Sequence, residues 1–326
     1  MIEIGIKDQY FGMEDEMTGI TREQAARALA QLFGTSAKYV GGVYDKWTVK
    51  DKEGKTWALV SDASIKTERK TGERYMATDS RTYAVEMVTP KLAYNEIPKL
   101  QRVIRALRNA GAKVNKSCGL HIHVDAANHN RQSLKNLLSI MFSKEDILFK
   151  ALKVNEDRAN HWCKKVREPM LEKVRKRLNA EETKDLTKLE NIWYEGFEDI
   201  HGRESHYNNS RYYALNLHSV FYRGTVEFRC FNATLNAEKA EAYLHLCLAM
   251  SAESIRQRNA IMRRTQSDNE AFTFRVWLVR LGLNGEEFKT SRDLLLKNLS
   301  GDKAWRHDKD SYEVNKKKKK TKTQER

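Results

Sequence analysis

The segment Cys-Gly-Leu-His-Ile-His-Val-Asp at residues 118–125 constrains the fold more than any other part of this chain. It alternates strictly, and successive side chains of a strand point to opposite faces of a sheet. Leu120, Ile122 and Val124 are therefore expected on a core, while His121, His123 and Asp125 share the other surface. Two imidazoles and a carboxylate on one face need a partner, which can be water, a metal or a substrate. Other elements fit around such a strand. Thr21-Arg22-Glu23-Gln24 has capping-box form and starts a helix predicted over 22–33, stopped by Gly34. Residues 46–50 and 56–60 flank a glycine-containing loop and read as a hairpin. A strand is expected over 81–88, ended by Thr89-Pro90, and a helix near 95–110 ended by Gly111. Residues 212–221 and 225–231, joined through Arg223-Gly224, read as a second hairpin. On it Asn216 shares a face with His218, and Glu227 with Arg229. Asn236 is a candidate N-cap for a helix over 237–260, with further helices around 268–282 and 286–298.

The predicted fold class is α+β: an antiparallel sheet with helices on its apolar face and the other face open. Residues 1–301 are expected to form one catalytic domain with a charged helical insertion at about 130–205, in which Trp162 and Trp193 serve as core anchors. No run approaches the roughly 18 apolar residues of a membrane span. Cys118, Cys163, Cys230 and Cys247 are scattered without a Cys-x-x-Cys pair, which argues against a disulfide framework or a structural zinc site. A cytoplasmic setting with reduced thiols is expected. The formal net charge of +15 predicts attraction to polyanions at low salt. Part of that excess sits in residues 302–326, with Lys316 to Lys320 in a row. This tail is expected to be disordered and to touch nucleic acid only weakly and non-specifically.

The open face is expected to collect more charge. Glu14 and Glu16 project together, and two adjacent carboxylates cannot both ionise without a cation or solvent between them. Glu86 lies between Val85 and Met87 in a strand otherwise apolar, where an unpaired carboxylate is costly. Carboxylates with one imidazole suit magnesium or manganese better than zinc, and an arginine beside such ions suits nucleotide phosphates. No Gly-x-x-x-x-Gly-Lys-Ser/Thr loop is present, so a phosphate site has to be built on metal. Two other readings stand beside this one. The first is a basic nucleic-acid-binding protein on a scaffold of this kind that has lost its chemistry. The second is a zinc hydrolase using His121 and His123, which lacks an obvious third nitrogen ligand.

Four pieces in order carry a family resemblance: Phe11-Gly12-Met13-Glu14-Asp15-Glu16, Glu86-Met87-Val88-Thr89-Pro90, Gly119-Leu120-His121-Ile122-His123-Val124-Asp125, and Asn216-Leu217-His218 followed by Gly224-Thr225-Val226-Glu227-Phe228-Arg229. Together they resemble the amidoligase family, carboxylate–amine ligases related to glutamine synthetase and glutamate–cysteine ligase. The resemblance implies a glutamine synthetase-like sheet whose concave face holds ATP and Mg2+ or Mn2+. It also implies small-molecule or peptide substrates, an acid and an amine, joined through an acyl phosphate. By this likeness Glu14, Glu16, Glu86, His121 and Glu227 are metal ligands, Arg229 is a phosphate or carboxylate clamp, and Asn216, Arg229 and His123 contact nucleotide or support the ligands. His121, Glu227 and Arg229 are the residues expected to carry catalysis. The family usually has an apolar residue where this chain has Asp15, so the outward side of the first strand is expected in water or against a basic helix. Cys118 is expected to have a packing role, and the polar segment 202–211 has the length of a loop that could cover a substrate.

Overall fold

The computed structural model describes residues 4–178, 183–197 and 201–306. Strand β1 (Tyr10–Met17) leads into helix α1 (Arg22–Phe33). The Thr21 side chain accepts from Gln24 N, the Gln24 side chain returns the bond to Thr21 N at 2.8 Å, and Gly34 ends the helix at φ +66°. A meander of β2 (Ala37–Gly41), β3 (Lys46–Lys50) and β4 (Thr56–Val60) follows, with β3 and β4 at the predicted bounds. After the separate hairpin β5 (Glu68–Thr71) and β6 (Arg74–Ala77) come β7 (Val85–Val88), β8 (Leu92–Ala93), helix α2 (Ile97–Asn109) and β9 (Gly119–Asp125). Helices α3 (Arg131–Leu152), α4 (Glu156–His161), α5 (Glu168–Arg177) and α6 (Thr187–Tyr194) precede β10 (Leu215–Asn216), α7 (His218–Arg223) and β11 (Thr225–Asn232). The described part closes with α8 (Ala237–Arg256), capped by Asn236, then α9 (Glu270–Arg280) and α10 (Lys289–Leu296).

Nine of the strands form one sheet in the order β10-β11-β9-β1-β7-β4-β3-β2, with β8 paired to the start of β1. Every registered pairing in it is antiparallel. The apolar face carries Phe11, Met13 and Met17 of β1, Val85 and Met87 of β7, Leu120, Ile122 and Val124 of β9, and Val226 and Phe228 of β11, all buried in one core. Helices α2, α3 and α10 pack against α8, which covers this face. Within the 130–205 stretch, α3 belongs to that layer, lying along α8 and touching β11. Trp193 is buried as expected. Trp162 departs from expectation: it is 37 % exposed, because it caps the short α4 instead of facing the core.

Two strand expectations are corrected. Only 85–88 of the 81–88 stretch is strand, and Arg81–Tyr83 form a 3-10 turn. The buried Arg22 side chain donates to the carbonyls of Arg81 and Ala84, both at 2.7 Å, and so takes acceptors that a ladder would have used. The second hairpin does not form as drawn. Residues 212–214 pair with the Lys164 segment, strand β10 is two residues long, and the chain then turns through α7. Gly224, at φ +73°, caps this helix and is not a hairpin turn. His218 therefore lies on a helix, and its sharing a strand face with Asn216 is withdrawn.

Asp15 is the third correction. It sits on the core face between the partners Met87 and Leu120 and is 0 % exposed, so it is not in water, and no cation among the described residues acts on its carboxyl. Neither carboxylate oxygen makes a hydrogen bond. Burial drives its carboxyl well above the usual range, and repulsion from Glu16 adds to the shift. No described helix is long and apolar enough to cross a membrane. The lysine run and most of the expected tail lie outside the described residues.

Candidate active site

Register alone explains why the charged residues converge. Glu14 lies opposite His121 across β1 and β9, Glu16 opposite Glu86 across β1 and β7, and Glu227 opposite His123 across β11 and β9. Residues directly opposite in an antiparallel pair share a face, so these six side chains form one floor. Asn216 lies opposite Glu227 on β10, and an irregularity between Phe228 and Phe231 of β11 accompanies Arg229 at the same floor. All eight site residues expected from the sequence are thus brought together.

Glu227 anchors the centre. It accepts from Asn216 Nδ2 at 2.6 Å and from Arg229 Nη1 in a short ion pair. His121 Nδ1 is 3.4 Å from Glu14 and 3.7 Å from Glu227, while His123 Nε2 is 3.5 Å from Glu14 and 3.9 Å from Glu227. His123 Nδ1 is fixed by Thr225 Oγ1 at 3.0 Å, which in turn meets Ser219 Oγ at 2.8 Å. Glu16 accepts the Gly119 N–H at 2.7 Å. Asp125 departs from this group. Its carboxylate caps the turn after β9 through Ala127 N and pairs with Lys91 at the rim.

Electrostatics divides the floor in two. Burial would raise Glu227, but Arg229 and the two imidazoles outweigh it and hold its carboxyl far below the usual range. Burial would likewise raise Glu14, and His123 and His121 reverse it. In turn, burial would lower His123, and the charges of Glu14 and Glu227 push it up. His121 is pressed to about 4 by burial and by Arg229. On the other side, burial and repulsion from Asp62 lift Glu16 to about 7, and burial with repulsion from Glu14 and Glu16 lifts Glu86 well above its ordinary value. Without a cation, this second half holds protons that a metal would displace.

Among the described residues, three overlapping sets of side chains are close enough to share an ion: Glu14, Glu86 and His121; Glu14, His123 and Glu227; and Glu16, Asp62 and Glu86. Each holds at most one imidazole with two or three carboxylates, a donor set that fits hard divalent cations and not zinc. His123 Nε2 and Asn216 Oδ1 are buried without a hydrogen-bond partner, as atoms awaiting a ligand would be. Asp62 was not anticipated. The signal was available: it lies two residues beyond Val60, which pairs with Glu86, so the end of β4 delivers it to the same corner.

The cleft has walls. His206 and Arg211 of the 202–211 segment line a recess with Glu14, Asn216 and Glu227, and Arg223 of α7 donates to Glu14 at 3.3 Å and to His206 at 3.0 Å. The Tyr207 hydroxyl meets that of Tyr44 in the β2–β3 turn. From Glu14 and His123 a groove of 360 Å³ leads outward between Tyr10, Met13, Val88, Pro90, Arg223 and Thr225. Cys118 is buried, and burial lifts its thiol to about 12, so it is no nucleophile at neutral pH.

Fold and floor together define an α+β protein whose open sheet face gathers acidic and imidazole groups beside a buried arginine. The family described as Putative amidoligase enzyme matches residues 7–251, and the chain belongs to that family, one of ligase-type enzymes. No curated protein matches the chain.

Proposed function

We propose that this chain is an ATP-dependent carboxylate–amine ligase with a glutamine synthetase-like catalytic sheet. In this reading the γ-phosphoryl group passes from ATP to a substrate carboxylate, and an amine displaces phosphate from the acyl phosphate to leave an amide, ADP and phosphate. The observation that carries it is the convergence of Glu14, Glu16, Asp62, Glu86, His121, His123 and Glu227 around positions for two or three divalent ions, with Arg229 among them. Magnesium or manganese there would neutralise phosphate oxygens and the attacking carboxylate. Glu14, Glu16, Asp62, Glu86, His121 and Glu227 would hold the ions, and Arg229, oriented by Glu227, would face the transferred group. Thr225 would fix the His123 tautomer by its contact at Nδ1. The groove beside Glu14 and His123 is large enough for the organic part of a substrate. A cytoplasmic location belongs to the same reading.

The test is incubation with Mg2+, labelled ATP and pools of amino acids and short peptides, scored for ADP and for new amide mass. ADP formation that depends on both an acid and an amine is expected. Purified protein that retains zinc through dialysis and makes no ADP with any pool would sink the proposal. Metal alone gives a second check. At a hundredfold excess over Kd, Mn2+ should raise the unfolding temperature by about 5 °C, from roughly 2.7 kcal/mol of linkage. Most of that shift should vanish in Glu86→Gln, because Glu86 belongs to two of the three sets. An equal shift in the variant counts against these ligands.

A further inference from the structure

We infer that Arg158, delivered by α4, is a second arginine of the site and contacts the phosphate chain of the bound nucleotide beside Arg229. This rests on the ligase reading above. Four observations lead to it. First, side chains at 119, 121 and 123 of β9 share the functional face, and position 119 is glycine. A Cβ there would overlap the guanidinium of Arg158, so Arg158 fills the place on the floor that residue 119 leaves empty, next in line after His121.

Second, Arg158 is buried, and its side chain donates from Nη2, at 3.1 Å, to the backbone carbonyl of Arg229. Nε is buried without a partner. A fixed positive charge held by one carbonyl is expensive inside a protein, and an anion is what completes it. Third, the anions at this end of the floor are already committed. Glu16 takes the Gly119 N–H and shares a candidate ion with Asp62 and Glu86, so metal there leaves the guanidinium free for a ligand oxygen. Fourth, the same short segment orients the first arginine: the Trp162 carbonyl lies 3.5 Å from Arg229 Nε, and Trp162 N is bonded to the Arg158 carbonyl at 2.8 Å. Two guanidinium groups joined through one turn of chain, beside ion positions, make a fork suited to phosphate oxygens.

The experiment measures binding of a non-hydrolysable ATP analogue with Mg2+, and of adenosine, to the full chain and to Arg158→Met, Arg158→Lys and Gly119→Ala, with circular dichroism to verify folding. Arg158→Met should bind the analogue at least tenfold more weakly, with adenosine affinity unchanged. Arg158→Lys should fall between, since it keeps charge but loses the fork. Gly119→Ala, which expels the guanidinium while leaving it in the chain, should match Arg158→Met and carries the test if that variant does not fold. Analogue affinity within twofold of wild type in folded Arg158→Met or Gly119→Ala overturns the inference, as does equal loss of adenosine, the mark of a purely structural role. If wild-type protein itself binds no Mg2+-dependent analogue, the ligase reading has failed, a result distinct from failure of Arg158 alone.

Discussion

Glu227→Gln is expected to lower Mg2+-dependent ADP formation about a thousandfold, the scale of removing a group that fixes charge at a reacting centre. The same change should cost stability. Arg229 keeps its buried position but loses its ion-pair partner, and uncompensated burial of one member of such a pair costs about 3 kcal/mol. The two effects can be separated. Adding Arg229→Met to Glu227→Gln removes the orphaned charge and should restore part of the stability with no recovery of turnover. Denaturant unfolding and ADP release on the wild type and the two variants give the answer. Wild-type turnover in Glu227→Gln removes the carboxylate from the proposed chemistry.

Asp15→Leu should make the protein more stable, and increasingly so as pH rises. The Asp15 carboxyl is raised in the folded chain by burial, whereas in the unfolded chain it titrates near 3.9. Below that pH both states carry the proton and the aspartate brings no ionisation penalty. Above it the unfolded state loses the proton and the native state keeps it, so wild-type stability falls by about 1.4 kcal/mol per pH unit until the folded carboxyl ionises. Leucine does not titrate and fits an apolar neighbourhood of Met13, Met17, Met87 and Leu120. The gain is expected to be smallest near pH 4, where only the cost of burying a neutral carboxyl remains, and to grow by about 1.4 kcal/mol per pH unit above it until the folded carboxyl ionises. Equal stability of the two proteins at pH 8 would show that Asp15 has found a partner.

What the sequence revealed and concealed follows from the range of the forces involved. The period of two in 118–125 is local, and it alone fixed which side of β9 carries the imidazoles. The capping box at Thr21 and the turn between β3 and β4 are local too, and their bounds were readable to the residue. Converging Glu14, Glu86, His121 and Glu227 needed only the assumption that strands of alternating character share one sheet. By contrast, Val220-Phe221-Tyr222 has strand propensity but forms part of α7. Here the pairing of 212–214 with the Lys164 segment, a long-range contact with no local signature, decides the path of the chain. Arg158 was hidden for the same reason. It reaches the floor from a short helix whose position depends on packing, and nothing within a few residues marks it. Asp15 misled because the general rule that a charge belongs outside gave way to the strand's strict alternation.

All four thiols are buried and none is bonded to another, with Cys118 next to Gly119 at the edge of the floor and Cys163 just after α4. A folded molecule should thus be nearly silent to a colorimetric thiol reagent, and reactivity will report opening. Because two of the four flank the Arg158 contact, slower modification on adding nucleotide with Mg2+ would read out, without any engineered label, how firmly that corner is held shut.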